Sequence, residues 1–367
     1  MNLPRRQARV IAFYLPQYHP TELNSQHYGK NFTEWDNVRA AKKLFPEHDW
    51  PIEPGELGYY DLRDPAAREA QAELAKAHGI EGFCYYHYWF GDGRMELEKP
   101  FQEVLQSKVP DFPFCLCWAN QPWHKKFWSR DGSSRNELLV DQSYPGDADV
   151  DAHFFYCLPA FQDERYIRVD DKPVFMIYRA LEHPDAAGFM ARWQQLAQEH
   201  GLPGIFFIGQ TTRLDLEGEK LRSLGLDGIN TVRLFDYYRF GQNRWRRQWR
   251  KFNWWLRRTP RIVPYKEASR CFVSEADKET DIYPSIIPNW DHSPRSGLGG
   301  TVLYGSTPTL FKEHVQEVVA TVVKKPEEHR LVFVKSWNEW GEGNYLEPDK
   351  RYGRAYLDVM LEVILED

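Results

Sequence analysis

Short apolar, β-rich runs alternate with helical segments along the whole of this 367-residue chain, and that alternation restricts its fold more than any other feature. The pattern predicts strands over residues 10–15, 82–87, 114–118, 174–178, 205–208, 228–232, 285–288 and 331–334. Helices are expected over 65–78, 97–107, 148–158, 184–200, 218–224 and 310–323, with a last one over 352–365. Strands this apolar are buried on both faces, as parallel strands between helices are. The eightfold βα repetition predicts an α/β fold, a (β/α)8 TIM barrel formed as one domain by residues 1–367, with a doubly wound open sheet as the alternative.

The polar and aromatic groups at the strand ends favour the barrel. They include Tyr14 and His19 after the first strand, His87 and Trp89 after the second, and Trp118, Asn120 and Trp123 after the third. Tyr178, the pair Asn289 and Trp290, and the run Asn338, Glu339 and Trp340 follow later strands. In a barrel the C-terminal strand ends build one active site, so these clusters would converge; in an open sheet they could not all meet. The stretch 29–60 is long for a first βα loop, and its content, including Glu34 and Trp35 with Asp61 just beyond, fits a functional loop. A second insertion, 239–266, interleaves Arg244, Arg246, Arg247, Arg250, Lys251, Arg257 and Arg258 with Trp245, Trp249, Trp254 and Trp255. Such a segment can make peripheral contact with an anionic membrane surface or polymer, or be a solvated helix docked on the barrel.

A formal net charge of -6 leaves no global footprint for nucleic acid. Five cysteines, three of them in or at the end of strand-like runs, suit a reducing compartment better than a disulfide framework. With no signal-type apolar core and no apolar run of ~18 residues, a cytoplasmic location without a membrane span is expected. No histidine spacing suggests a metal site, no cofactor is expected, and no Rossmann or P-loop fingerprint supports a nucleotide-sugar transferase on an open sheet.

The sharpest chemical signal is Lys335-Ser336-Trp337-Asn338-Glu339-Trp340-Gly341-Glu342-Gly343, directly after the last strand. A Glu-x-x-Glu pair on a helix is usually a solvated face. Here Pro348 delays the next helix, so Glu339 and Glu342 fall on a strand-to-helix loop. Two carboxyls can divide the work of glycosidic cleavage, one protonating the departing oxygen and the other supplying or activating the nucleophile. Tryptophans, 14 in a chain that is 15% aromatic, supply apolar platforms for sugar rings or a large core. His87 is expected to touch a sugar hydroxyl rather than to be a core histidine. Asn120 and Asn289 are expected to read hydroxyl pairs, and Asp291 is either a third carboxylate or a loop cap.

The segments Phe32-Thr33-Glu34-Trp35, Gly58 to Pro65, Gly82 to Phe90 and Cys117-Trp118-Ala119-Asn120 resemble those of the WbsX-type proteins of bacterial polysaccharide and O-antigen clusters, which are similar to family 99 glycoside hydrolases. That resemblance implies a TIM barrel and endo-acting, retaining cleavage of α-mannosides without a metal, on a polysaccharide or oligosaccharide substrate. Its motif Asn-Glu-Trp-x-Glu falls on Asn338 to Glu342. It would make Glu339 the base toward the sugar 2-OH, which attacks C1 to give a 1,2-anhydro sugar, and Glu342 the acid and then base. Such chemistry needs the 2-OH trans to the leaving group, as in α-mannosides or α-rhamnosides. Asn120-Gln121-Pro122-Trp123 departs from the Asn-Glu-Asn-Trp expected after the third strand, which puts one substrate contact in doubt. The alternative reading is a glycosyltransferase or transglycosylase of O-antigen or capsule assembly.

Overall fold

The computed structural model describes residues 6–50, 52–128, 134–241 and 259–365. Eight parallel strands form a closed ring: β1 (Arg9–Tyr14), β2 (Gly82–His87), β3 (Phe114–Trp118), β4 (Lys172–Ile177), β5 (Phe206–Thr211), β6 (Gly228–Thr231), β7 (Ile282–Ile286) and β8 (Leu331–Val334). β1 lies between β8 and β2, with Val10 opposite Val332 and Phe13 opposite Cys84. Closure comes between β3 and β4, where Leu116 faces Phe175 and Trp118 faces Ile177. The barrel is therefore the fold, and the open sheet is excluded.

Among the described residues a helix of two turns or more follows every strand but β6: α1 (Pro65–Ala77), α2 (Lys99–Ser107), α3 (Asp147–Phe161), α4 (Ala186–Glu199), α5 (Leu214–Ser223), α6 (Pro308–Val322) and α7 (Ala355–Ile364). Their starts are written locally. The Asp64 carboxylate accepts from Ala66 N–H ahead of Pro65, and Thr307 Oγ1 accepts from Leu310 N–H ahead of Pro308, so a capping side chain meets a residue whose missing N–H costs nothing at the first helical position. β7 begins three residues before its expected start. It pairs with β6 as far as Pro284 and with β8 from Ser285, so the residue that cannot donate to a ladder falls where one partner replaces the other.

Strand alternation sorts side chains between the barrel interior and the helix layer. Phe13 stacks on both Tyr86 and Phe333 inside, whereas Tyr14 and Tyr85 pack together outward, Tyr14 bonding Gln71 of α1 and Tyr85 meeting Phe101 of α2. The long first connection carries two short helices, Glu22–Tyr28 and Glu34–Ala40. The second starts where Thr33 N–H donates to the Asp36 carboxylate, and it brings Glu34 and Trp35 to the C-terminal end of β8. In the β6–β7 connection the arginines and tryptophans of residues 244–258 lie outside the described residues. Of its described flanks, Arg239 bonds Asp215, and Arg261–Pro264 pairs in parallel with Thr301–Tyr304. All five cysteines are free thiols, and no described helix is long and apolar enough to cross a membrane.

Candidate active site after the eighth strand

Past Val334 the chain turns sharply and is pinned at each step. Trp337 N–H donates to Phe13 O at the end of β1 (2.8 Å). The Asn338 amide grips the backbone of Leu15 from both sides, accepting from its N–H (2.7 Å) and donating to its carbonyl (3.0 Å). Ser336 Oγ accepts from Glu339 N–H, and Tyr18 OH accepts from Trp340 N–H. Trp340–Glu342 is a single 3-10 turn, so the two glutamates leave a tight loop and not a helix face. Gly343 ends it at φ 55°, where a Cβ would lie 2.6 Å from the Asp291 side chain.

The two carboxyls meet on one guanidinium. Arg295, from the short helix Ser293–Ser296 in the β7–α6 connection, donates from Nη2 to Glu339 Oε1 (2.7 Å) and from Nη1 to Glu342 Oε1 (2.8 Å). Its Nε donates to Glu34 Oε2 (2.9 Å), and Nη2 also reaches Gln17 Oε1 (3.2 Å). His292 Nε2 lies 3.5 Å from Glu342 Oε1, and Lys335 Nζ, bonded to Tyr86 OH at 2.7 Å, stands below the pair. The Glu339 side chain is 4% exposed, against 18% for Glu342. Burial, reinforced by the neighbouring Glu342, pushes the Glu339 carboxyl up to about 8 against the pull of Arg295. For Glu342 burial also raises, but Arg295 and His292 outweigh it and hold the group down to about 2. The surroundings thus push the two carboxyls apart, Glu339 toward its neutral form and Glu342 toward its charged form.

A buried network backs this loop. Glu347 accepts from Trp340 Nε1 (2.7 Å), Gln71 Nε2 (2.7 Å) and Tyr60 OH (3.0 Å), and Asn338 Nδ2 donates to Tyr60 OH (3.3 Å). Burial lifts Glu347 to about 7 although these donors favour its charged form. Tyr14, expected in the cleft, belongs to this network through Gln71 (2.7 Å) and points to α1.

The other sequence candidates divide by strand face. Glu34 joins the glutamates through Arg295. Tyr178 stands edge-on to Tyr86, and Trp123 edge-on to Tyr88, so both border the interior aromatics below the pair. His87 does not. Its Nε2 lies 2.8 Å from His153 Nε2 under α3, and burial drops its pKa to about 3, so it is the core histidine and not a hydroxyl contact. Trp89 stacks on His153 and donates to Asp149, and Trp118 packs against His153 and Phe189; both are in the helix layer. Trp35 and Trp340 are sealed in the core, Trp35 donating to Tyr60 O and Trp340 stacked on Tyr345, so neither shows a face to a sugar.

Asn120 spends its amide on Tyr144 and on both backbone groups of Arg179. Asn289 accepts from Asn344 through its carbonyl, while its side-chain oxygen is buried without a partner. Trp290 stacks parallel to His292. Asp291 is the loop cap, accepting from Ser293 N–H, and also bonds His48 (2.6 Å). Asp61 pairs with Arg63 in an open depression of about 350 Å³ that shares Tyr18 with the glutamates; His19 lies buried close by, burial lowering it to about 4.

Sequence reasoning passed over Arg295, His292, Tyr18 and the interior tyrosines Tyr86 and Tyr88. Strand alternation was the available signal for the tyrosines: residues 86 and 88 share a face, and 87 and 89 the other. Among the described residues one trio brings metal-ligating atoms together, His87, His153 and Cys157, all within 4.8 Å. The hydrogen bond between the two imidazoles accounts for that closeness, and the trio lies behind the barrel wall, away from the glutamates.

The family model for "Glycosyltransferase WbsX" matches residues 10–360. The chain belongs to the WbsX family. An uncharacterized protein, WxcX of Xanthomonas campestris pv. campestris, is 32% identical over 358 residues, which are 97% of this chain and 50% of that protein, so this WbsX chain spans about half the length of the curated relative it matches. Among solved structures, the family 99 endo-alpha-mannosidase of Bacteroides thetaiotaomicron shares 15% identity and a TM-score of 0.57 over 97% of this chain and 95% of that one. A "glycoside hydrolase-like protein" gives 16% and 0.59 over 99% and 96%. At these identities the likeness is one of fold: the WbsX chain has the barrel that these proteins have.

Proposed function

We propose that this WbsX protein is a retaining endo-glycosidase that cleaves an α-mannoside or α-rhamnoside linkage in a bacterial polysaccharide by participation of the sugar 2-OH. The observation that carries the reading is the pair Glu339 and Glu342, two carboxyls gathered at the C-terminal end of a barrel strand, where their surroundings push one toward the neutral and the other toward the charged form. Both accept from neighbouring nitrogens of one guanidinium.

In this scheme Glu339 takes the proton of the 2-OH as O2 attacks C1, and Glu342 protonates the departing oxygen. Water then attacks C1 with Glu342 taking its proton, while the C1–O2 bond breaks and Glu339 returns its proton to O2. Since the surroundings favour the proton on Glu339, the scheme includes its transfer to Glu342 across the pair before the glycosidic bond breaks. The proteins with the same barrel, an endo-alpha-mannosidase and a glycoside hydrolase-like protein, support hydrolysis.

The family's description as a glycosyltransferase supports a second reading, in which a sugar hydroxyl replaces water in the second step. An NMR time course on an aryl α-mannobioside tests the first. The first-formed sugar should be the α anomer, and the 2-deoxy analogue should bind without turnover. Initial formation of the β anomer, or turnover of the 2-deoxy compound, rejects participation by O2.

A further inference from the structure

We propose that Arg295 is the positioning residue of the glutamate pair: it sets the spacing of the two carboxyls by holding one oxygen of each, and its charge keeps the pair from taking up a second proton. This deepens the glycosidase reading and rests on it for the role of the pair. The geometry is specific. Arg295 takes Oε1 of Glu339 and Oε1 of Glu342, and among the described residues no hydrogen bond holds Oε2 of either, so each glutamate keeps a free oxygen for a substrate. A bidentate fork fixes distance as well as charge, which a lysine cannot do.

Arg295 is itself held. Glu34 grips its Nε, and the pair passes directly over the backbone of Gly341, between the two glutamates. A Cβ at position 341 would lie 2.2 Å from Glu34 Oε2 and 2.9 Å from Arg295 Nε, so the glycine makes room for this contact. The other titratable groups facing the cluster are Tyr18 from the β1 end, Tyr28 from the short helix Glu22–Tyr28, Tyr86 and Tyr88 from β2, His292, and Lys335. Lys335 is also cationic, yet its ammonium bonds Tyr86 OH and neither carboxylate. The only guanidinium among the described residues that touches both glutamates is that of Arg295.

The sign follows from the charge. Arg295 favours the ionised form of both glutamates, so removing it raises both, and the second proton binds at a higher pH than with it in place. The test begins without substrate. Glutamate labelled with 13C at the carboxyl is followed by NMR against pH in the wild type, Arg295→Gln and Arg295→Lys, with Glu339→Gln and Glu342→Gln assigning the signals.

In Arg295→Gln the second protonation should move up by at least about one pH unit, and the acid limb of kcat on an aryl α-mannobioside should move with it. Arg295→Lys should hold the acid limb low yet lose kcat, because charge remains and the fork is gone. Guanidinium added to Arg295→Ala should restore part of the rate. Gly341→Ala, which displaces the Glu34–Arg295 pair from its seat, should shift the titration in the same direction and serves if Arg295→Gln does not fold. Carboxyl titrations unmoved in Arg295→Gln or Gly341→Ala overturn the proposal. The titration depends on the arrangement alone, whereas loss of turnover in Glu339→Gln and Glu342→Gln depends on the glycosidase reading, so failure of one is told from failure of the other.

Discussion

The loop after β8 and the aromatic nest at the ends of β2 and β3 are both buried and both rich in tryptophan, tyrosine and ionisable side chains, yet they are organised for opposite ends. In the β8 loop polar atoms converge on carboxyls: Arg295 on Glu339, Glu342 and Glu34, and Tyr60, Gln71 and Trp340 on Glu347. In the nest, His87 and His153 satisfy each other between Trp89, Trp118 and Tyr156, and burial keeps both neutral. The first arrangement keeps charge available inside a barrel mouth. The second removes it from behind the barrel wall. What separates a site from a core here is therefore the face of the strand end, and the supply of ion partners on that face, more than the residue types.

The comparison predicts its largest contrast in turnover. Glu342→Gln should lower kcat on polysaccharide by ~10²–10⁴ while activated aryl glycosides keep part of their rate, since a good leaving group needs little acid. Glu339→Gln should lose activity on both substrates. If Glu339→Gln is instead the variant that good leaving groups rescue, the roles within the pair are reversed. In the wild type the rate should fall on the alkaline side as Glu339 loses its proton near 8.

Glu347 sharpens the contrast from the side of stability. Its folded-state pKa of about 7 lies above its ordinary value of 4.5. The folded protein thus keeps this proton longer than the unfolded chain does, and the stability this gives is full below about 4.5 and lost as pH rises to about 7. Relative to Glu347→Gln, the wild type should lose at most about 3 kcal/mol between those limits, measured by urea unfolding at a series of pH values. A stability difference flat with pH would show that Glu347 is ionised throughout. The smallest effect on turnover is expected in the nest. His87→Gln should lower the melting temperature, because His153 loses its partner at a cost of about 1–3 kcal/mol, while kcat/KM stays within a few-fold. A loss of activity larger than the loss of stability would return His87 to the site.

Much of this was legible in the chain. β-branched runs bounded by capped helices, such as Asp64-Pro65 and Thr307-Pro308, mark strands and helices by local rules, and the Asn338 to Glu342 motif marks the site. The faces were not legible. All six residues of β2 are buried, so alternation shows two faces without showing which one looks inward, and nothing in the sequence turns Tyr86 and Tyr88 to the interior and His87 away from it. Arg295 was invisible for a different reason. It sits 44 residues before Glu339 on a four-residue helix with no periodicity of its own, and only the closure of the barrel brings the two together.

Whether the carboxyl pair after β8 cuts a glycan with water is decided by incubating the host's surface polysaccharide in H2(18)O without any activated donor. Shorter chains are expected, whose new reducing ends carry one 18O, absent in Glu339→Gln and Glu342→Gln. Intact polysaccharide, or new linkages without 18O, would contradict hydrolysis by the pair.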